Sequence, residues 1–266
     1  MTTTIVTWNV NGIRALHGKN TEGKKITDKK EESSFSAMLR QEKPNILCLQ
    51  EMRCPETFRF SPLPYSYIYY SKKKGQSGTL LASDQKPLSI TCGIEGIKEE
   101  EGRIMTMEFD DFFIVNSYSP NSGRHRLDYR VKIWEPALRK HIIGLEGKKE
   151  VILCGDLNCI PTDLDMSKSM KDCPGSTLEE KESFFELQVE CNIIDVYRQV
   201  YPSSPGWTWH CPLAASRGGK RGCRLDYFLT TLKILSRVKS INVLEKYKGS
   251  DHFPVRLDLT SPLGDK

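Results

Sequence analysis

Four apolar runs of strand length end abruptly on polar residues: Ile5 to Trp8 before Asn9, Ile46 to Leu49 before Glu51, Phe112 to Val115 before Asn116, and Val151 to Leu153 before Asp156. A strand that is apolar along its whole length is covered on both faces, so these runs predict interior strands of a layered α/β fold. Side chains just past the ends of such strands gather along one rim of a sheet, a natural place for a site. Helix-like stretches lie between and after them: Glu32 to Gln41, Leu127 to Leu145 with a kink expected at Pro136, and Leu178 to Cys191 with Ser176 or Thr177 as its N-cap. No repeat and no composition break interrupts the alternation, so residues 1–266 are expected to form a single domain. A chain of 266 residues, 38% hydrophobic, is long enough to bury an ample core.

The polar content narrows the surroundings. Met1 to Thr4 leads straight into the first apolar run, so no signal peptide is expected, and no apolar run is long enough to span a bilayer. The nine cysteines are odd in number and form no CxxC pair, which argues against both a zinc site and a disulfide framework. Free thiols in a reducing compartment follow, and the expectation is an intracellular monomer without a membrane partner: nuclear if eukaryotic, otherwise cytoplasmic. A formal net charge of +5 supports nucleic-acid binding only weakly by itself. Gly18 to Glu32, dense in charged residues, reads as a solvated, mobile loop.

Any single Asn or Asp at a strand end is explained by turn formation. An ordered set is a different matter. Thr7-Trp8-Asn9-Val10-Asn11-Gly12, Leu49-Gln50-Glu51, Tyr118-Ser119-Pro120-Asn121, Gly155-Asp156-Leu157-Asn158, Arg224-Leu225-Asp226-Tyr227 and Gly249-Ser250-Asp251-His252 follow one another along the chain, each beside an apolar segment. On these motifs, and on Glu101-Gly102-Arg103, Tyr129-Arg130 and Gly222-Cys223, the sequence resembles the exonuclease III and apurinic/apyrimidinic (AP) endonuclease family of the endonuclease/exonuclease/phosphatase superfamily, from about Ile5 to Leu259. The resemblance implies a DNase I-like, four-layer α/β sandwich: two packed mixed β-sheets flanked by helices, with the active site at one rim.

The chemistry implied is Mg²⁺-dependent hydrolysis of the DNA backbone on the 5′ side of an abasic site, leaving a 3′-hydroxyl, together with 3′-phosphodiesterase and 3′-to-5′ exonuclease activity. An anionic phosphodiester demands charge neutralisation, an activated water and a stabilised leaving oxygen. Glu51 is assigned to the metal, because oxygen ligation with retained waters suits Mg²⁺, with Mn²⁺ as a substitute. The expected metal set is completed by Asn9, Asp156, Asn158, Asp251 and His252. The expected catalytic set is Tyr118, Asp156, Asn158, Asp226 and His252, with Asp156 activating the water, Asn158 holding it, and Asp226 orienting His252 toward a phosphate oxygen. Two roles stay open for Tyr118, a neutral donor or a phenolate.

Double-stranded DNA with abasic sites or 3′ blocking groups is the expected partner. Asn121, Arg124, Arg217, Lys220 and Arg221 are the expected phosphate and DNA contacts, with Arg126 and Lys72 to Lys74 as further candidates and Arg103 either a contact or a turn brace. Trp207-Thr208-Trp209 supplies aromatics for a small apolar pocket into which a base-free sugar flips at low cost, and the pocket residues are Trp209, Cys223 and Leu225. Cys223 stands where many relatives carry a tryptophan, which predicts a thinner wall, and Asn11 stands where some carry an aspartate. Two alternatives remain: a nuclease or phosphodiesterase of the superfamily acting on undamaged DNA, RNA or lipid, and an inactive DNA-binding module.

Overall fold

The computed structural model describes residues 2–28, 31–123, 125–170, 173–211 and 221–260. One six-stranded sheet contains β1 (Thr2–Asn9), β2 (Ile46–Gln50), β3 (Tyr65–Tyr69), β4 (Thr79–Ser83), β13 (Val238–Val243) and β14 (Val255–Thr260), in the order β13-β14-β1-β2-β4-β3. The other contains β5 (Ser89–Cys92), β6 (Ile104–Glu108), β7 (Phe112–Tyr118), β8 (Glu150–Asp156), β9 (Ile193–Asp195) and β12 (Asp226–Thr231), in the order β5-β6-β7-β8-β12-β9. A short ribbon pairs β10 (Trp209–His210) with β11 (Gly222–Cys223). The four runs singled out in the sequence are the central pairs, β1 with β2 and β7 with β8, and both pairs are parallel while their flanks are antiparallel. Parallel neighbours end on the same side. Asn9 therefore lies level with Gln50, and Tyr118 with Asp156.

Alternation along each strand sorts the residues into layers. Ile5, Ile46, Cys48, Ile114, Ile152, Cys154 and Phe228 pack between the sheets. Their neighbours Val6, Trp8, Leu47 and Leu49 face outward onto α1 (Ile13–His17) and α2 (Ser34–Glu42), where Ile13, Leu16, Phe35 and Met38 cover them. On the other side, Val115, Val151 and Leu153 meet helical residues Trp134, Leu138, Ile142, Phe184 and Leu187. These are the four layers of an α/β sandwich, as the sequence led us to expect. The inward positions turn polar over the last step before the rim: Thr7, Asn9, Gln50, Asn116 and Asp156 are all buried.

The second expected helix is in fact three pieces: α3 (Leu127–Tyr129), a π-helical turn (Arg130–Trp134) and α4 (Glu135–Glu146). The backbone stays helical through all three, and the departure from regular α geometry expected at Pro136 takes the form of the π turn just before it. Thr177 caps α5 (Leu178–Glu190) through a capping box with Glu180, and the short α6 (Val196–Val200) and α7 (Leu232–Leu235) flank β12. The described part of the charged Gly18 to Glu32 segment is tied down: Lys19 Nζ donates to the Gly249 carbonyl at 2.6 Å, and the Lys248 N–H to the Thr21 carbonyl at 3.2 Å. No helix among the described residues is long and apolar enough to cross a membrane.

Candidate active site

The rim is assembled from strand ends. Gly155 makes the close approach there feasible: at φ +120° it brings β8 so near β7 that a Cβ would sit 2.1 Å from the Ser117 carbonyl oxygen. Asp156 follows, and its Oδ1 accepts the Asn158 N–H at 2.9 Å. Across the gap between the sheets, the Asn9 amide nitrogen donates to Asp156 Oδ2 at 2.8 Å and to Glu51 Oε1 at 3.0 Å. Glu51 leaves β2 in the left-handed region (φ 52°), where the Gly12 N–H bonds its carbonyl at 2.8 Å. Its other carboxylate oxygen accepts from the Arg53 guanidinium. From the start of β12, Asp226 Oδ2 meets His252 Nδ1 at 2.8 Å, which leaves His252 Nε2 facing inward, 3.8 Å from Asp156 Oδ2.

Burial and charge set the protonation states. Burial first, and then the Asp226 and Glu51 carboxylates, raise the Asp156 pKa, with His252 and Asn9 pulling the other way. His252 resists the downward push of its own burial because Asp226 and Asp156 flank it, and the outcome is a raised pKa that favours the imidazolium. Tyr118 lies on the far side of Glu51. Burial, then Glu51 and Asp156, hold its phenol well above the ordinary value, with Arg103 pulling the other way.

Two of the expected ligands also brace the site. The Asn9 amide oxygen accepts the Asn11 N–H at 3.0 Å, so what Asn9 presents to the carboxylates is its amino group. Asn158 donates to the Ser119 carbonyl at 2.9 Å and accepts from Asn121 at 3.2 Å. Each amide oxygen accepts one hydrogen bond here and keeps a second lone pair. Asp251 accepts from Asn11 Nδ2 at 2.7 Å and from the Trp209 indole at 3.0 Å, tying the pocket to the rim. Asp156, Asp226 and His252 bring one ligand atom each within 4.8 Å of one another, and Asp226 Oδ1 is buried without a protein partner.

Around Trp209, Cys223 and Leu225 pack Ile160, Met166, Met170 and Cys173. The wall expected to be thin at Cys223 is backed by methionines, with Met166 bridged directly to Cys223. Trp207 belongs elsewhere: it turns away from this pocket and lines a separate cleft with Tyr197 and Tyr201. Among the expected DNA contacts, Asn121 lies beside Asn158 and Arg221 is exposed, whereas Arg124, Arg217 and Lys220 lie outside the described residues. Arg126 pairs with Glu101, and Lys72 with Glu100. Arg103 does more than brace a turn. Its guanidinium lies 4.6 Å from the centre of the Tyr118 ring and bonds the Tyr118 carbonyl at 3.1 Å.

Residues that carried no role in the sequence complete the frame. Gln50 Nε2 donates to Thr7 Oγ1 at 2.8 Å and to Asn116 Oδ1 at 2.7 Å, while Asn116 Nδ2 reaches the Leu49 and Leu80 carbonyls of the opposite sheet at 3.0 and 2.9 Å. Thr208 Oγ1 donates to Asp226 Oδ2 at 2.6 Å and accepts the Leu225 and Asp226 N–H groups. Ser250 Oγ donates to the Asn9 carbonyl at 2.7 Å. Strand phase was the available signal: Gln50 alternates with inward Cys48, and Asn116 with inward Ile114.

Residues 6–252 match the Endonuclease/Exonuclease/phosphatase family. An exodeoxyribonuclease of Bacillus subtilis (strain 168) is 36% identical over 95% of this chain and 98% of its own length. A DNA-(apurinic or apyrimidinic site) endonuclease of Dictyostelium discoideum is 34% identical over 94% of this chain and 69% of its own. The crystal structure of the AP endonuclease LMAP from Leishmania major superimposes with a TM-score of 0.80 and 28% identity, covering 98% of this chain and 88% of that one. With its rim residues in place on a two-sheet sandwich, and with similarity running almost from end to end, this chain belongs to the endonuclease/exonuclease/phosphatase family.

Proposed function

We propose that this protein is a Mg²⁺-dependent DNA-repair nuclease that hydrolyses the phosphodiester 5′ to an abasic site, leaving a 3′-hydroxyl, and that removes 3′ blocking groups and 3′-terminal nucleotides at the same site. The observation that carries the reading is the Asp156 carboxylate, buried with a raised pKa between Asn9 and the Asp226–His252 pair, in a chain with exodeoxyribonuclease and AP endonuclease relatives.

Asp156 takes the proton of the attacking water, a task suited to a carboxylate whose basicity is raised toward neutral pH. Asn9 and the Asn158 N–H fix its orientation. His252, held by Asp226 through Nδ1, directs its Nε2 proton at a non-bridging phosphate oxygen, and Tyr118 and Asn121 add neutral donors to the same group. The donor chemistry fits a divalent cation: Asp156, Asp226 and His252 converge, Asp226 Oδ1 is a buried acceptor without a hydrogen-bond partner, and Glu51 is tied to Asp156 through Asn9. A bound Mg²⁺, or Mn²⁺ in its place, would supply charge neutralisation for the phosphate and the departing 3′ oxygen. The half-buried Trp209, backed by the buried Cys223 and Leu225, offers a small apolar surface that suits a base-free deoxyribose better than a full nucleotide.

The test is cleavage of an end-labelled duplex carrying one abasic-site analogue, with and without Mg²⁺, beside an intact duplex and a single strand. The reading expects a Mg²⁺-dependent nick at the analogue. Equal cleavage of the intact duplex would remove the abasic-site claim, and cleavage unaffected by chelation would remove the metal.

A further inference from the structure

The carboxylate assigned to the metal is already engaged by a protein cation. Arg53 binds Glu51, in a pair whose carboxylate is 11% exposed and whose guanidinium is 42% exposed. The placement is built in, because Arg53 and Glu51 both adopt left-handed backbone (φ 47° and 52°), and the Arg53 N–H is fixed to the Ser77 carbonyl at 2.9 Å. Arg53 also lines an open cavity of about 370 Å³ beside the site, together with Gln76, Arg103, Tyr118, Asn121 and Arg126. The three guanidiniums there differ in one respect. Glu51 and Glu101 both line this cavity, but Arg103 and Arg126 share Glu101, whereas Arg53 draws its counter-charge from Glu51, the carboxylate that Asn9 links to Asp156.

A divalent cation and a guanidinium compete for one carboxylate, since each repels the other at hydrogen-bonding range. Resting on the metal and DNA reading above, we propose that Arg53 couples the two ligands: it holds Glu51 in the metal-free protein, and when a divalent cation takes Glu51 it is released into the cavity to pair with a backbone phosphate next to the scissile one. A phosphate accepts a guanidinium in the same forked geometry as a carboxylate, so the exchange keeps Arg53 paired. By linkage, the metal and the DNA then strengthen each other's binding by the same factor.

Four titrations close the cycle: Mn²⁺ into the protein and into its complex with a duplex, and the duplex into the protein with and without Mn²⁺. The duplex carries an abasic analogue whose 5′ linkage is a non-hydrolysable methylene phosphonate. The wild type is expected to show positive coupling. Arg53→Gln is expected to bind Mn²⁺ about threefold more tightly in the absence of DNA, as for the loss of a partly exposed ion pair. Its duplex affinity should fall about tenfold with Mn²⁺ present and little without it, as for the loss of one charge-assisted phosphate contact, so that the coupling vanishes. Arg53→Lys, which keeps the charge, should retain the competition with Mn²⁺, and unchanged thermal midpoints show that the variants are folded. Intact coupling in Arg53→Gln, or weaker Mn²⁺ binding by it, overturns the proposal while leaving the metal and DNA reading standing. A wild type that binds no Mn²⁺ overturns both, and that failure is read directly from the first titration.

Discussion

Arg224 and Asp226 stand two residues apart, and each anchors a buried charge cluster of a different kind. Arg224 contacts Asp165 and Asp195 at 2.7 Å each, and Arg198 joins Asp165 at 2.5 Å, so two guanidiniums face two carboxylates. The Arg224 guanidinium also lies 4.5 Å from the centre of the Tyr227 ring. At the rim, the ion-pair partners of Glu51, Asp156 and Asp226 among the described residues are His252 and the half-exposed Arg53. The balanced cluster fixes the loop that carries β11 and locks the start of β12. The rim cluster sits on the same scaffold with three carboxyl groups to two cationic side chains among the described residues. Burial alone does not distinguish the two clusters; the balance of acid and base within each does.

The sharpest way to break the comparison is to neutralise one acid in the rim. Asp156→Asn should lower the rate of abasic-site cleavage by about a thousandfold or more while leaving duplex affinity in place. Loss of binding in parallel with rate would show Asp156 to be part of the frame. On the other side, Arg224→Met should cost about 3–5 kcal/mol of stability, because it strands the buried Asp195 and leaves Asp165 to Arg198 alone. Urea denaturation reads this directly, and an unchanged midpoint would refute the distinction. Glu51→Gln is expected to raise the Mg²⁺ concentration for half-maximal cleavage by about tenfold, with little change in the urea midpoint, since a single carboxylate ligand is lost from a site that retains other oxygens.

The smallest effect concerns pH. Burial pushes Asp165 upward, but Arg224, Thr162 and Arg198 outweigh it and hold its carboxyl below the usual value. A carboxyl lowered on folding contributes stability that is fully present above its unfolded pKa and is lost as pH falls through the folded one. The wild type should therefore lose stability more steeply than Asp165→Asn on acidification below about pH 4, the ordinary aspartate range. Parallel curves would assign the acid sensitivity to other groups.

The central strands and the rim were legible in the sequence because fully buried strands are apolar throughout and their ends announce themselves with Asn, Glu and Asp. Edge strands were not. The run Tyr65–Tyr69 is half-buried at every position and Ser89–Cys92 is largely exposed, so neither gives a clean alternation. The site residues lay at the positions the motifs marked, whereas their hydrogen-bond partners did not follow from motif order. That Asn9 offers its amino group, or that Thr208 fastens Asp226, depends on which side-chain atom faces which neighbour across two sheets. The Leu127 to Leu145 stretch is helical as its apolar spacing implies, but the π turn from which Arg130 reaches Glu135 and Glu180 did not follow from that spacing.

The pairing of β1 with β14 sets Thr2 opposite Thr260 and Thr7 opposite Val255, so the strand that ends in Asn9 is bordered by the one that begins just after His252. Asn9 and His252 are thus neighbours in space across almost the whole contour of the chain. A chain emerging from a ribosome can form β1, β2 and both flanking helices early, but it holds no working centre until β14 has docked. Closure over so long a separation is slow compared with local helix formation. In refolding, the return of nuclease activity should therefore trail the return of secondary structure, making catalysis a late reporter of completed folding.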